Sequence, residues 1–456
     1  MTAAGAEDVS DMAHVGQEQS SLFNKLMWTV VTFGASFVLK LASSVILARL
    51  LAPEIFGVMV IVNSIRLGIE LLSDVGIEQN IVNHRQGLSP RFFNTAWTIQ
   101  LIRGGALSLL FAALSPALAS LYHLDLSVLL AVSLAPLLTA FASTSIFVLV
   151  KNLEVRRRNL FELQAECINF MFCVGLALVT PTVWALIWGM LLSIAARSVM
   201  SYRLPHPAHR LLLDREHVKE IVHFGKWIMA SSLLNYASTY LDRLFIGRMA
   251  TMQTLGLYGI ARNISDLPSG LAGRLAYRVI FPLLALYRTD RGEATLHEFV
   301  RMRRLIVIAA SLGIGSLAVG ADIAIDLLYD PRYQAAGPAL FLLLISAWFA
   351  VLAQLNEVAL LGFGNARPVS YAHSLRIALL CVALPVGYQH YGLPGAIIGL
   401  TVSEAGRSLY MMARQARHGL AFWSQDIGGT ALFVAWVALL TFLRSAAGFG
   451  VPWAGT

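Results

Sequence analysis

Ten basic side chains fall inside long apolar runs of this chain: Lys40, Arg66, Arg103, Arg197, Arg243, Arg262, Arg274, Arg278, Arg376 and Arg407. If those runs cross a bilayer, each charge costs roughly 2.5–3.5 kcal/mol at the centre of an isolated span, so they cannot all face lipid. Arg66 and Arg103 lie about ten residues into their runs, near mid-depth, and Lys40 is somewhat shallower. An aqueous cavity in the N-terminal half would accommodate all three. An internal ion pair is the other account. Glu70 follows Arg66 by four residues and Asp74 follows Glu70 by four, which places them on one helix face. The two accounts are compatible.

In the second half, Asp242 and Arg243 are adjacent and point to different faces of one helix, so they cannot simply neutralise each other. Arg262 and Asp266 are spaced to pair on the next helix. Arg376 lies in the inner half of its run, and Glu404 near the middle of another. A buried carboxylate without a partner tends to take a proton, because desolvation disfavours its charge. Glu70, Asp242 and Glu404 are therefore candidate proton or cation sites. Arg197 and Arg407 lie about 20 Å from the outer ends of their helices at 1.5 Å per residue, close enough to the inner face to snorkel there. Arg274 and Arg278 are expected to do the same. Pro268, Gly270 and Gly273 should bend their helix, either as a moving part or as a static packing kink.

The elements that must hold these charges are membrane helices. The chain is 57% hydrophobic and 13% charged, far from soluble-domain composition. Apolar runs of about twenty residues recur throughout, each able to cross a roughly 30 Å hydrocarbon core. Thirteen are read near Leu26–Ala48, Phe56–Val75, Phe93–Ala119, Asp125–Val150, Glu162–Thr180, Thr182–Tyr202, Phe224–Gly247, Leu255–Leu286, Arg304–Leu328, Pro338–Gly362, Val369–Tyr391, Leu393–Ala413 and Ala421–Leu443. They lack the period-two alternation of barrel strands, so the expected class is all-α and polytopic. Residues 1–21 read as a disordered cytoplasmic tail, not a signal peptide. Cys167, Cys173 and Cys381 fall in spans without metal-ligand spacing, and His84 stands alone in its loop. No metal or cofactor is expected.

Two segments repeat. Trp184–Met200 and Pro394–Tyr410 share Ile187/Ile397, Gly189/Gly399, Ser193/Ser403, Ala195/Ala405, Arg197/Arg407 and Ser198/Ser408 without gaps, at an offset of 210. Arg49 and Gly57 echo as Arg248 and Gly256 at an offset of 199. The repeated helices are the sixth and twelfth, so both copies enter the membrane in the same direction, which implies two parallel six-helix halves, the usual frame of a transporter. The expected division is an N-terminal lobe at 22–203, a cytoplasmic linker at 204–223 with a short amphipathic segment around Asp214–Ile221, a C-terminal lobe at 224–418, and an extra C-terminal helix and short tail at 419–456. That tail is too short to span again and is expected to face outward.

Charge sets the orientation. With a cytoplasmic N-terminus, twenty loop Lys and Arg residues face inward, Arg303 among them, and only Arg49, Arg248, Arg332 and Arg444 face outward. The net charge of +8 is mostly this signal. It suits anionic lipid headgroups, and nucleic acid is excluded as a partner because the basic residues are dispersed and no binding motif is present.

Several strings then resemble the polysaccharide-transport (Wzx-type) flippases of the multidrug/oligosaccharidyl-lipid/polysaccharide exporter superfamily. They are ILARLLAPEIFGVM at Ile46–Met59, SDVGIEQNIV at Ser73–Val82, HFGKWIMASSLLNYASTYLDRLFIGRM at His223–Met249, and LGLYGIARNISDLPSG with RVIFPLL within Leu255–Leu284. They occur in the family's order and cover most of residues 22–420. The chain departs from the pattern at Ala52, where a glycine is common before the proline, and in having thirteen helices where relatives often have fourteen.

The resemblance implies two six-helix lobes in a V around a central cavity, plus the extra helix. It implies alternating access in the bacterial inner membrane and translocation of undecaprenyl-pyrophosphate-linked oligosaccharide for exopolysaccharide, capsule or O-antigen. It admits a polysaccharide polymerase and export machinery as further partners. A pyrophosphate is polyanionic, and arginine meets phosphate oxygens with forked donors. Lys40, Arg66 and Arg103, with Arg243, Arg262 or Arg376, are the expected substrate-binding set; Glu70, Asp242 and Glu404 are the expected ion-coupling set. A multidrug/cation antiporter of the same superfamily is the nearest alternative, though a cation cargo would prefer an acidic cavity. A membrane polymerase would need a long outer loop, and none is present. No phosphate-binding loop exists, since Gly225-Lys226 is followed by Trp227. Energy must come from an ion gradient or from removal of the product, and no catalytic residues are expected.

Overall fold

The computed structural model describes residues 31–32, 34–205, 208–281, 284, 293–416 and 422–453. The expected tail at 1–21 lies outside them, as do the loop cations Lys25, Arg288, Arg291 and Arg417, and the side chain of Arg278.

Among the described residues every regular element is helical. Residues 34–50 form α1. α2 (Pro53–Leu71) opens on a proline, which has no N–H to leave unpaired in a first turn. α3 (Ile77–Asn83) follows a tight turn at Gly76, whose φ of 59° favours glycine. α4 (Pro90–Tyr122) is capped by Ser89, whose hydroxyl accepts from the Phe92 N–H. Three short helices, α5 (Leu126–Val132), α6 (Ala135–Ala140) and α7 (Ser145–Lys151), occupy the fourth expected run. α8 (Val155–Val179) and α9 (Val183–Ser201) complete the first half.

α10 (Arg215–Met249) is a single helix of 35 residues. α11 (Met252–Leu275) is capped by Thr251 and runs into a π turn at Ala276–Ile280. Then come α12 (Glu293–Val319), α13 (Ala321–Leu328), α14 (Ala336–Gly362), α15 (Ala366–Ala416) and α16 (Trp423–Ala446). α15 breaks at Gly392 (φ 61°), which separates the eleventh and twelfth expected runs.

Each of the thirteen runs is mostly helical where it is described, but the second ends at Leu71, the fourth breaks at 133–134 and 141–144, and the ninth breaks at Gly320. Among the described residues, seven helices are long and apolar enough to cross a membrane, eight if the segment bent by 52° between α6 and α7 is one span. α2, α10 and α11 fall outside that set and carry charges, among them Glu54, Arg66 and Glu70, Asp242 and Arg243, and Arg262 and Asp266. Large apolar side chains such as Leu109, Leu178, Val199, Leu327, Val382 and Phe442 stand exposed, as on a surface meant for lipid.

The chain divides into two compact units: residues 1–51 with 66–232, and residues 52–65 with 233–456. In the first unit, α9 leans on α8 where Gly189 meets Cys173; a Cβ there would lie 2.8 Å from the Cys173 Cα. Residues 208–214 run along α4, with the backbone N–H groups of Arg210, Leu212 and Asp214 donating to the side chains of Asn94, Thr98 and Thr95. The amphipathic segment expected around Asp214–Ile221 is not separate from helix seven; it is the first turns of α10. Nor does His84 stand alone: its ring stacks on Phe92 at 4.5 Å and its Nε2 lies 3.5 Å from Glu220.

In the second unit, the core is α14, flanked by α11 and the two halves of α15. The second copy of the repeat uses its glycine as the first does, Gly399 closing on the Ala383 carbonyl across α15. The other echoed pair meets directly. A Cβ at Gly57 would lie 1.9 Å from the Met252 carbonyl oxygen, and one at Gly256 would lie 1.9 Å from that of Pro53. Arg303 corrects the topology reading: it is no loop cation but fully buried on α12, paired with Asp426 of α16 and bonded to Asn356 of α14 at 2.8 Å. Arg444 likewise pairs with Asp322.

Candidate functional site

The second unit holds a half-open cavity of about 560 Å³. Its walls are α10, α11, α14 and both parts of α15. Four guanidiniums line it, those of Arg262, Arg274, Arg376 and Arg407, against the carboxylates of Asp266, Glu357 and Glu404. Apolar helices can carry this many charges only because the charges face one another and the cavity instead of lipid.

Local backbone explains the opening. Gly270 has no atom within 4 Å of where a Cβ would stand, and a Cβ at Gly273 would meet the Gln354 side chain at 2.8 Å. The glycines therefore thin the α11 wall next to Pro268. The π turn that ends α11 places Tyr277 on the same cavity. Such a turn inserts an extra residue into the helical register, which re-aims side chains.

The ion pairs form a chain around the cavity. Glu404 is 4% exposed, and its carboxylate lies 2.7 Å from Arg376 and 3.0 Å from Arg407. Arg376 also donates to the Ser238 carbonyl on α10. Glu357 lies 3.4 Å from the His373 ring. Arg262 stands 3.3 Å from Asp266 and 3.6 Å from Asp242. Arg243, below the Tyr240 ring at 4.8 Å, pairs with Asp266 at 3.1 Å. Asp242 is buried behind this wall, where it accepts from the Tyr258 hydroxyl and the Arg243 N–H.

In the first unit, Arg66 pairs with Glu70 at 2.7 Å. Arg103 donates to the Ser73 hydroxyl at 2.9 Å and to the Glu70 carbonyl. Asp74 accepts from the Gly76 N–H and the Ser232 hydroxyl. Lys40 pairs with Glu166 at 2.8 Å, and its side chain is 64% exposed.

Of the expected residues, Arg262, Arg376 and Glu404 therefore line the second-unit cavity, and Asp242 and Arg243 buttress it. Arg66, Glu70 and Arg103 form a separate cluster in the first unit, with Lys40 apart from it. Arg407 was expected to snorkel and instead is buried on the cavity wall. Depth along its own helix placed it near an end, but Glu404 one turn away holds it inward. His373, Glu357, Gln354 and Tyr277 were not anticipated. The three-residue spacing of Glu404 and Arg407 was a visible signal for the pair; His373 and Glu357 pair across helices, which no spacing reveals.

The sequence pattern of the family described as "Polysaccharide biosynthesis protein" matches residues 46–338, more than half of the chain. The chain belongs to that family. The membership agrees with the expected resemblance to polysaccharide-transport flippases. The lipopolysaccharide biosynthesis protein WzxC of Escherichia coli is 23% identical over 385 residues, 83% of this chain and 77% of that one. The succinoglycan biosynthesis transport protein ExoT of Rhizobium meliloti is 22% identical over 379 residues, 83% and 76% of the two chains. Among solved structures, the lipid II flippase MurJ in an inward closed conformation matches with a TM-score of 0.70 at 12% identity, covering 92% of this chain and 100% of that one. At that identity the likeness shows the fold alone.

Proposed function

We propose that this family member is a flippase that carries pyrophosphate-linked oligosaccharide on an undecaprenyl lipid across the bacterial inner membrane by alternating access, for polysaccharide assembly. One observation carries the reading: a cavity among apolar helices with four guanidiniums on its wall, Arg262, Arg274, Arg376 and Arg407. Forked guanidinium donors match phosphate oxygens two at a time. Asn235, Ser238, Thr239, Ser269 and Gln354 add hydroxyls and amides to the same wall, groups that suit sugar hydroxyls. The relatives' names, for lipopolysaccharide biosynthesis and succinoglycan transport, point to the same cargo class.

Arg243 keeps Asp266 in place beside Arg262 and acts as a positioning residue. Arg66 and Arg103, with the more exposed Lys40, are the cations of the first unit assigned to the headgroup, and Glu70, Asp242 and Glu404 are the acids through which an ion gradient would act. Counted by membrane runs the lobes are 22–203 and 224–418, whereas by packing residues 52–65 go with the second unit and the division falls after Ser232. The excess of basic loop residues on one side supports a cytoplasmic N-terminus. The protein moves its cargo without chemistry on it, and polymerase and export machinery would take the unit up on the far side.

The test is a gene deletion complemented with variants. In the deletion strain lipid-linked oligosaccharide should accumulate in the cytoplasmic leaflet, relieved by wild type and not by Arg376→Gln or Arg66→Ala. Unchanged polymer together with new sensitivity to cationic dyes would reject the reading in favour of a drug exporter.

A further inference from the structure

Glu404 is the most confined charge of the cavity, and its surroundings are unusual for a simple ion pair. Two guanidiniums close on one carboxylate, Arg376 from the first half of α15 and Arg407 from the next turn of the second half. Arg262 of α11 and His373 act on the same carboxylate through space. Glu357 of α14 faces it with like charge, and Asp242 of α10 and Asp266 stand behind Arg262. The buried ε-nitrogens of Arg376 and Arg407 make no hydrogen bond, and that of Arg262 meets Asp266 at 3.3 Å as a charge without hydrogen-bond geometry. One buried oxygen of Glu404 likewise makes no hydrogen bond. Buried polar groups are nearly always satisfied, so these cations and this carboxylate meet as charges with incomplete hydrogen bonding, which a better-fitting anion can replace.

Resting on the headgroup reading above, we infer that Glu404 is a built-in stand-in for the cargo's phosphates. The pyrophosphate displaces it from Arg376 and Arg407, and it takes up a proton as it is displaced. The charge count requires the proton. With the His373 ring counted as neutral, four guanidiniums face three carboxylates on the cavity wall, an excess of one, whereas a pyrophosphate diester carries two negative charges. With a neutral Glu404 the excess is two, and the cargo is matched. The physics runs the same way: a carboxylate stripped of its cations in a buried site is more stable protonated, and the guanidiniums it releases accept phosphate oxygens with the same forked geometry. When cargo leaves, Glu404 gives up the proton and closes the site again. An empty carrier thus returns with its buried charges paired.

The experiment uses the full-length protein and dimethyl pyrophosphate, a diester that stays doubly ionised across the working pH range. Calorimetry in two buffers of different ionisation heat reads affinity and proton uptake together. Wild type should take up about one proton per diester bound, with affinity falling roughly tenfold per pH unit on the alkaline side. Glu404→Gln should take up none and bind at least about tenfold tighter at alkaline pH. Glu404→Asp, which keeps the charge, should keep the uptake and verifies that the site tolerates substitution. Equal or weaker binding by Glu404→Gln, or uptake that persists there and vanishes in His373→Gln, overturns the inference while leaving the headgroup site standing. If no form binds the diester while Arg376→Gln still blocks transport, the headgroup reading and the inference fall together.

Discussion

Asp242 and Arg243 are neighbours in the chain and never pair. Consecutive side chains on a helix diverge by about 100°, so Asp242 turns to Arg262 and Tyr258 while Arg243 turns to Asp266. The result is a relay in which each charge is answered from another helix, and single substitutions should be felt beyond their own site. Tyr258→Phe removes one hydrogen bond from buried Asp242 and should cost about 1–3 kcal/mol, read as a lower thermal midpoint in detergent. Arg376→Lys keeps the charge but loses the fork that spans Glu404 and the Ser238 carbonyl. Transport should fall about tenfold to a hundredfold, as a charge-assisted bidentate contact is lost, with protein abundance unchanged. A lysine variant as active as wild type would show that positive charge alone suffices.

At the scale of elements, glycines decide how closely the helices approach. Gly57 and Gly256 hold equivalent places in the sequence echo, and each lies against the other's helix. Any side chain there must push α2 away from α11, because backbone atoms cannot yield as a flexible side chain can. Gly256→Val should therefore destabilise by about 1–3 kcal/mol or more, the usual cost of overpacking, seen as a lower midpoint and reduced membrane abundance. Gly270 faces open space, so Gly270→Leu should leave stability nearly unchanged while narrowing the cavity and slowing transport. The contrast between the two glycines separates packing from cargo space by a pair of measurements on otherwise similar substitutions.

Across the whole molecule, the extra C-terminal helix is fastened to its unit by a polar knot. Arg303 is wholly buried, and Asp426, Asn356 and Gln425 share its donors while the Phe422 ring covers it at 5.0 Å. Trp348 stacks on Phe433 at 5.1 Å beside this knot. Breaking a buried pair by removing one partner leaves an uncompensated charge and costs about 3–5 kcal/mol. Asp426→Ala should therefore lower the thermal midpoint sharply and make α16 sensitive to protease. The double variant Arg303→Met with Asp426→Leu should recover much of the loss. Failure of the double variant to recover would mean that the knot sets helix register and not only charge balance.

Periodicity and composition were sufficient for the all-helical membrane class, because hydrocarbon imposes the same rule on every spanning segment wherever it packs. The break at Gly392 and the sites of Pro268 and Gly270 were likewise written in residue types. The cavity itself was only half legible: Arg262, Arg376 and Glu404 stood out as charges in apolar runs, but depth along a helix says nothing about the direction a side chain takes around it. Arg407 and Arg197 occupy equivalent places in the repeat, yet one is buried against Glu404 and the other pairs with Glu162 on an exposed face. Arg303 looked like a loop cation until α16 supplied Asp426. Which charges meet is settled by contacts between distant segments, and only the packed helices bring those segments together.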